Sequence, residues 1–424
     1  MAATSIRKEN NELVIELRVP VSSNFLDFEK QVQDELTNAG RALTEHGLAD
    51  FDADGSPIII GNTKYTAKQK QVEKKYETPF GTVQVKRYAY QSSSGGTTHI
   101  PLEHNARIIG NSTPRFAKLV SSKYSYNNAA TVQQDLFETL HRKVSRCYIQ
   151  DVSALVATGI EAKSQLWDTA GDEPLPVDVA SIGIGLDGVC MLFCDDGYRQ
   201  AMVGTITFYD ATGMRLHTTY VAAAPEQGKS LFLEHMDQEI ERVKKRYTHA
   251  RYVGISDGAS DFRPWLERHT TTRILDFWHL TEYLAGVSKV MFPRKAQREE
   301  WMDKTCHNLK HEHGAAKAIL AEIKQAVEQK KRLSKSRREI LNTTIVYMSN
   351  NADRTNYASY RKSHLPIGSG VTEAACKTVV KQRMCGSGMK WKFSGAQTVL
   401  SLRAKRLTKG AWEAFWTKTG QIGL

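Results

Sequence analysis

Apolar and polar positions change period several times along the chain, and each change predicts an element. Residues 12–20 (ELVIELRVP) alternate as a strand does. Phe25, Phe28, Val32, Leu36, Ala39 and Leu43 then recur at steps of three and four. That spacing puts them on one face of a packing helix ended near Gly47. Residues 72–101 return to short alternating runs, punctuated by Pro79, Gly81 and an SSSGG stretch, the pattern of a small β unit. From 113 to 167 the period is helical. Asn127–Leu140 predicts one helix, HRKV a short connection, and Ser145 the cap of a second helix carrying Arg146, Tyr148 and Gln150 outward. Helix, turn and capped helix is the outline of a helix-turn-helix, whose second helix enters a major groove. Any two packed helices give the same outline.

After a linker-like stretch at 171–178 (GDEPLPVD), strand-like runs follow at Ile182–Cys194, Met202–Tyr209 and Leu216–Ala223. A helix (Leu231–Arg246), a strand (Tyr252–Ser256), a short helix (Phe262–His269) and a strand (Arg273–Phe277) come next. Three hairpin-linked strands followed by alternating strands and helices predict a mixed sheet with helices packed on it, an α/β class. Residues 289–345 carry no strand signal and hold 14 Lys and Arg against 7 acids, which reads as an all-α insertion. LPIGSG then breaks the chain, and Val371–Arg383 resumes as a helix.

Composition narrows the classes. Of 424 residues, 41% are apolar and 25% charged, which excludes a wholly disordered or collagen-like chain. The net charge of +12 leans toward a polyanionic partner. Its distribution says more: residues 361–424 hold 12 basic side chains and two acids, Glu373 and Glu413, a lopsidedness that phosphate contacts explain better than solvation does. No apolar run approaches the roughly 18 residues that span a bilayer. The start has no apolar core of a secretion signal. Six scattered cysteines without a C-x-x-C pair predict reduced thiols in a cytoplasmic protein.

Three short motifs mislead. Gly183-x-Gly185-x-x-Gly188 has dinucleotide-fold spacing, but VCMLF follows it where a helix is required. Gly228-Lys229-Ser230 resembles the end of a P-loop, but Ala223 stands where the first glycine belongs. Cys306, His307, His311 and His313 lack a second ligand pair and read as solvated side chains.

Three carboxylates stand out by context. Asp187 interrupts an apolar strand, Asp257 ends a strand before Gly258, and Glu373 opens a helix inside the most basic region. A carboxylate in an apolar strand is costly unless a cation compensates it, and three acids brought together repel without one. Two hard divalent cations, Mg²⁺ or Mn²⁺, would balance Asp187, Asp257 and Glu373 and support an in-line displacement at phosphorus. Taken singly, each acid also has an ordinary structural role. Glu373, Lys377 and Lys381 are four apart and share a helical face, and Arg383, Lys390, Trp391 and Lys392 continue a basic, partly aromatic surface for DNA.

The blocks GIGLDGV (183–189), YVGISDGASDFRPWL (252–266), ILDFWHLTEYL (274–284) and LPIGSGVTEAACKTVVKQRMCGSGMKW (365–391) resemble the DDE transposases of bacterial insertion sequences, specifically the ISKra type. The last block is the most specific. The resemblance covers about 180–410 strongly and 70–165 more loosely.

It implies an RNase H-like catalytic domain, with the acidic triad falling on Asp187, Asp257 and Glu373. The organisation expected is an α+β region (1–110), a helical HTH-like DNA-binding region (111–170), the first part of the catalytic domain (178–288), the all-α insertion (289–360), and the last part with a basic tail (361–424). Asp276-x-x-His279 resembles an accessory D-x-x-H motif of related transposases, and Asp276 rivals Asp257 as second acid; the Gly turn after Asp257 favours the latter. Trp301 is a candidate for contacting flanking DNA.

Many family members carry a cysteine pair in the N-terminal β unit. Here that stretch is Tyr90–Gly95 without cysteine, so no zinc is expected. The implied activity is binding of terminal inverted repeats in double-stranded DNA, cleavage of the ends and joining of the 3′-OH ends to target DNA. A homodimer or higher oligomer on DNA would act in the nucleoid, with no membrane partner. A nuclease without strand transfer and a non-catalytic, domesticated DNA-binding protein are the alternatives.

Overall fold

The computed structural model describes residues 6–10, 12–68, 70–164, 167, 178–225, 229–258, 262–329 and 333–424. The linker-like stretch at 171–177 and Gly228 lie outside them. Two compact units emerge: Met1–Thr169 with Trp412–Leu424, and Ala170–Ala411. The last helix thus groups with the first unit, whereas the sequence reading kept it with 361–411.

In the first unit, β1 (Ile6–Glu9) and β2 (Glu12–Ile15) pair as a hairpin before α1 (Phe25–Ala49). Asn24 caps α1 by accepting from Leu26 N. Only the second half of α1 packs: Ala39 and Leu48 are buried, while Phe25 is 70% exposed and Leu36 50%. The continuous packing face expected from the spacing is therefore half realised.

Strands β3 (Ile58–Ile60), β4 (Thr63–Ala67), β7 (Tyr90–Ser92) and β8 (Gly95–His99) form one sheet. The hairpin of β5 (Val72–Thr78) and β6 (Gly81–Arg87) forms another. Tyr76, Val83 and Val85 of that hairpin pack with Leu48 and with Leu102 of α2 (Pro101–Asn105). Three helices follow: α3 (Pro114–Tyr126), α4 (Ala129–Leu140) and α5 (Arg146–Ser164). α4 ends at His141 in the left-handed region, and Ser145 Oγ accepts from Tyr148 N at 3.0 Å, the cap expected of the second helix. The closing helix α16 (Ala411–Ile422) buries Trp412, Phe415 and Trp416.

The second unit is built on a mixed five-stranded sheet in the order β11-β10-β9-β12-β13. β10 (Gly197–Tyr209) runs antiparallel to both β9 (Ser181–Phe193) and β11 (Arg215–Ala223). β12 (Arg251–Ser256) runs parallel to β9, and β13 (Thr272–Leu275) parallel to β12. Because β9 continues for 13 residues through Gly188, the glycine triplet starts no helix and the dinucleotide reading fails.

α6 (Ser230–Arg246) and α7 (Arg263–His269) cover one face. There Ile182, Ile184, Leu186, Ile206 and Phe208 meet Phe232, Met236, Ile240 and Trp265. Each aliphatic or aromatic side chain so buried contributes about 1.5–3 kcal/mol.

The all-α segment comprises α8 (Phe277–Met291), α9 (Lys295–His311), α10 (Ala315–Gln329), α11 (Lys335–Asn350), a 3-10 turn (Ala352–Arg354) and α12 (Tyr357–Lys362). Its core is continuous with that of the sheet: Leu284, Leu309, Ile319, Ile323, Leu341 and Met348 join Val253, Ile255 and Ile274 in one cluster. α13 (Gly370–Ala375), a π-helical turn (Cys376–Lys381), the short α14 (Gln382–Met384) and α15 (Phe393–Leu407) close the unit. α13 lies directly on β9: a Cβ at Gly185 would stand 2.0 Å from Thr372 Oγ1.

Candidate active site: carboxylates at the strand ends

Register brings the acids together. β9 and β12 pair in parallel up to Gly185 opposite Ile255. Two residues further along both chains stand Asp187 and Asp257. β12 and β13 pair up to Ser256 opposite Leu275, so the next residues are Asp257 and Asp276, and Asp276 N still donates to Ser256 O at 2.8 Å. Neighbouring strands lie about 4.8 Å apart. Asp257 and Asp276 therefore follow the ends of β12 and β13, in register with Asp187 inside the longer β9.

Asp276 caps α8: its Oδ1 accepts from Trp278 N at 2.8 Å, and the residue is 1% exposed. Asp257 is exposed at the end of β12 and Asp187 half-buried within β9.

Glu373 arrives from α13. Ser369, which begins that helix, places its Oγ 2.7 Å from Glu373 Oε1 and also within hydrogen-bond reach of Asp276 Oδ2. One hydroxyl carries one proton. It can donate to only one of the two carboxylates at a time. One turn beyond Glu373, Cys376 Sγ lies 3.4 Å from Asp187 Oδ2, and Asp187 Oδ1 accepts from Gly188 N at 2.6 Å. Burial, followed by the Asp187 charge, pushes the Cys376 thiol well above its ordinary range. Thr372 Oγ1 and Thr205 Oγ1, 2.7 Å apart, tie α13 to β10 on the same face.

Among the described residues, none of Asp187, Asp276 and Glu373 forms an ion pair with a lysine or arginine. Nor do three His, Cys, Asp or Glu side chains already converge as a ligand group. The donor set, hard carboxylate oxygens, fits Mg²⁺ or Mn²⁺.

The other candidates divide. Lys377, Lys381, Lys390 and Lys392 are exposed. The four-residue stripe from Glu373 is not regular, because the π-helical turn over Cys376–Lys381 lengthens the period. Arg383 is a correction: it is 4% exposed, with its guanidinium 5.2 Å over the Trp391 ring. Trp391 is partly exposed. Its indole donates to Met384 O at 2.8 Å, and its backbone adds to the end of β9 through Leu192 and Cys194. Arg383 thus builds the fold rather than a DNA surface.

His279 is partly exposed, with its ring near Tyr283 and Tyr347 (centroids 5.5 and 6.0 Å). Trp301 is 9% exposed and donates to Glu322 Oε1 at 2.9 Å, which makes it a core residue and removes it from DNA contact.

In the first unit Arg146 is exposed as expected, but Tyr148 is not turned outward. Its ring stacks on Phe116 (6.2 Å, 25°), and burial raises its hydroxyl far above the ordinary phenol range. Residue 148 lies in the first turn of α5 on the side facing α3, which decides its direction.

Sequence reasoning missed Ser369, Thr372, Cys376 and Tyr347. The Gly-Ser-Gly before the helix was a usable signal for Ser369. Tyr347 gave none, being 90 residues from Asp257 in an ordinary helical pattern. All six cysteines are free. Among the described residues no helix is long and apolar enough to cross a membrane. No protein-family model matches the chain, and no curated protein matches it.

Proposed function

We propose that the chain is a DNA transposase of the DDE class with an RNase H-like catalytic unit. The observation that carries this reading is the shared register: Asp187 and Asp257 stand abreast on adjacent parallel strands, and the helix bearing Glu373 lies on the same face. Support for the RNase H-like reading comes from the order β11-β10-β9-β12-β13, in which the central strand and its parallel neighbour each carry an acid.

Asp187, Asp257 and Glu373 would hold two divalent cations, Mg²⁺ or Mn²⁺. When bound, these supply water activation and charge compensation for in-line displacement at phosphorus. Asp257 is preferred over Asp276 because it follows β12 at the Gly258 turn, in register with Asp187, whereas Asp276 is buried and caps α8. Lys377, Lys381, Lys390 and Lys392 would hold the phosphate backbone across the site. His279 and Asp276 are accessory, the first flanking the site and the second fixing the entry to α8. Arg146 on the capped helix α5 would serve recognition of the terminal inverted repeats in double-stranded DNA. Two ends must be joined together, which calls for a homodimer or higher oligomer on DNA, acting in the bacterial cytoplasm at the nucleoid.

The test uses oligonucleotides carrying the sequences that flank the gene, with pre-cut 3′ ends. Strand-transfer products in Mg²⁺ or Mn²⁺, lost in Glu373→Gln with end binding kept, are expected. Cutting without joining would instead identify a nuclease, and end binding without either reaction a non-catalytic DNA-binding protein.

A further inference from the structure

The inserted helices reach the second acid through its main chain. Tyr347, near the end of α11, donates its phenolic O–H to the backbone carbonyl of Asp257 at 2.7 Å. Arg354, in the 3-10 turn that follows, is 2% exposed and donates to Ser256 Oγ at 3.2 Å. Asn351 links the two: its Oδ1 accepts from Arg354, and its Nδ2 donates to the Tyr347 carbonyl at 2.8 Å.

The chain turns beneath them at Gly258, with φ +94°, where a Cβ would stand 2.9 Å from Tyr347 Cε2 and 3.1 Å from Asn351 Nδ2. The Tyr347 ring is itself held by a parallel stack on Tyr283 (4.1 Å, 10°). Burying an arginine this deeply is costly, and burial lowers its pKa. Three polar side chains from one helix end thus converge on Ser256-Asp257-Gly258.

We propose that Tyr347, supported by Asn351 and Arg354, is a positioning residue that fixes the backbone of Asp257, so that the inserted helices set how tightly the site holds its cations. This rests on the reading of Asp257 as a ligand. A ligand carboxylate must be held to about 0.5 Å to be effective, and a hydrogen bond to its own carbonyl fixes the main chain that carries it.

Tyr347→Phe keeps the stack on Tyr283 and removes only the hydrogen bond. The expected result in the full chain is a Mn²⁺ dissociation constant raised about three- to tenfold by direct titration, the range one hydrogen bond commands. Cleavage should fall by a similar factor at subsaturating Mn²⁺ and recover at saturation, with the melting temperature lowered by no more than the loss of one hydrogen bond explains. Tyr283→Phe, which removes a hydroxyl not used here, should match wild type in both readouts.

Wild-type Mn²⁺ affinity and metal dependence in Tyr347→Phe would overturn the proposal. Asp257→Asn separates the two failures. If it weakens Mn²⁺ binding while Tyr347→Phe does not, the clamp alone falls; if neither weakens it, the assignment of Asp257 falls and takes the clamp with it.

Discussion

Along β9 the residues alternate Ile182, Gly183, Ile184, Gly185, Leu186, Asp187, and the two faces of the sheet separate accordingly. Toward α6 the strand presents three aliphatic side chains to Phe232, Met236 and Ile240. Toward α13 it presents two glycines and a carboxylate, met by Thr372 and Cys376. The first face stabilises the unit by removing apolar surface from water. The second gives up that gain: glycine buries nothing, and a half-buried carboxylate costs free energy. What it obtains is close approach, because only a glycine at 185 lets the helix bearing Glu373 sit on the strand bearing Asp187. Stability and the proposed chemistry are thus divided between opposite sides of one strand, which follows from the two-residue period of β structure.

This division is open to attack by mutation. On the α13 face, Asp187→Asn should lower divalent-dependent DNA cleavage more than about 1,000-fold, as loss of a metal ligand does. Its melting temperature should be equal to or above that of the parent, since a charge is removed. A cleavage assay paired with thermal melting reads both.

On the α6 face, Ile184→Ala should cost about 2–4 kcal/mol in denaturant unfolding. Cleavage per folded molecule should stay near the parent value; a catalytic loss as large as that of Asp187→Asn would erase the distinction between faces.

Gly185→Ala sits between the two. Its Cβ would meet Thr372 Oγ1 and, at 3.1 Å, Thr205 Oγ1, so the helix must lift. A destabilisation of about 1–3 kcal/mol is expected, with a cleavage loss larger than the stability change explains.

The smallest effect concerns pH. His269 on α7 contacts Asp237 at 2.9 Å, yet burial holds its imidazole below the ordinary value. The unfolded chain therefore takes up the proton first as pH falls. The contribution of His269 is full above about pH 6.5 and is lost as the pH falls through the lower folded value. His269→Gln should flatten the acid-side slope of stability between pH 7 and 5 in urea titrations.

The alternation that divides the faces was legible in the residues: Ile182–Cys194, Met202–Tyr209 and Leu216–Ala223 nearly coincide with β9, β10 and β11. Asp187 and Asp257 were legible as strand acids, but not their alignment, because pairing register is a property of two strands and not of either alone.

The basic side chains were misjudged where composition stood in for direction. Arg383 and Lys381 are two residues apart in the same charged run, yet one is buried over Trp391 and the other is exposed. The π-helical turn that shifts them has no signature in the 3.6-residue period. Nor could helical periodicity tell that α10 and α11 share their core with β12 and β13, since an apolar stripe does not name its partner.

The most direct measurement is titration of the full chain with Mn²⁺, reading free Mn²⁺ by its paramagnetic resonance, for the parent and for Asp187→Asn, Asp257→Asn and Glu373→Gln. Two bound ions in the parent, and weakened binding in each of the three variants, are predicted. Equal binding in all four proteins would contradict the claim that these acids form one cation site.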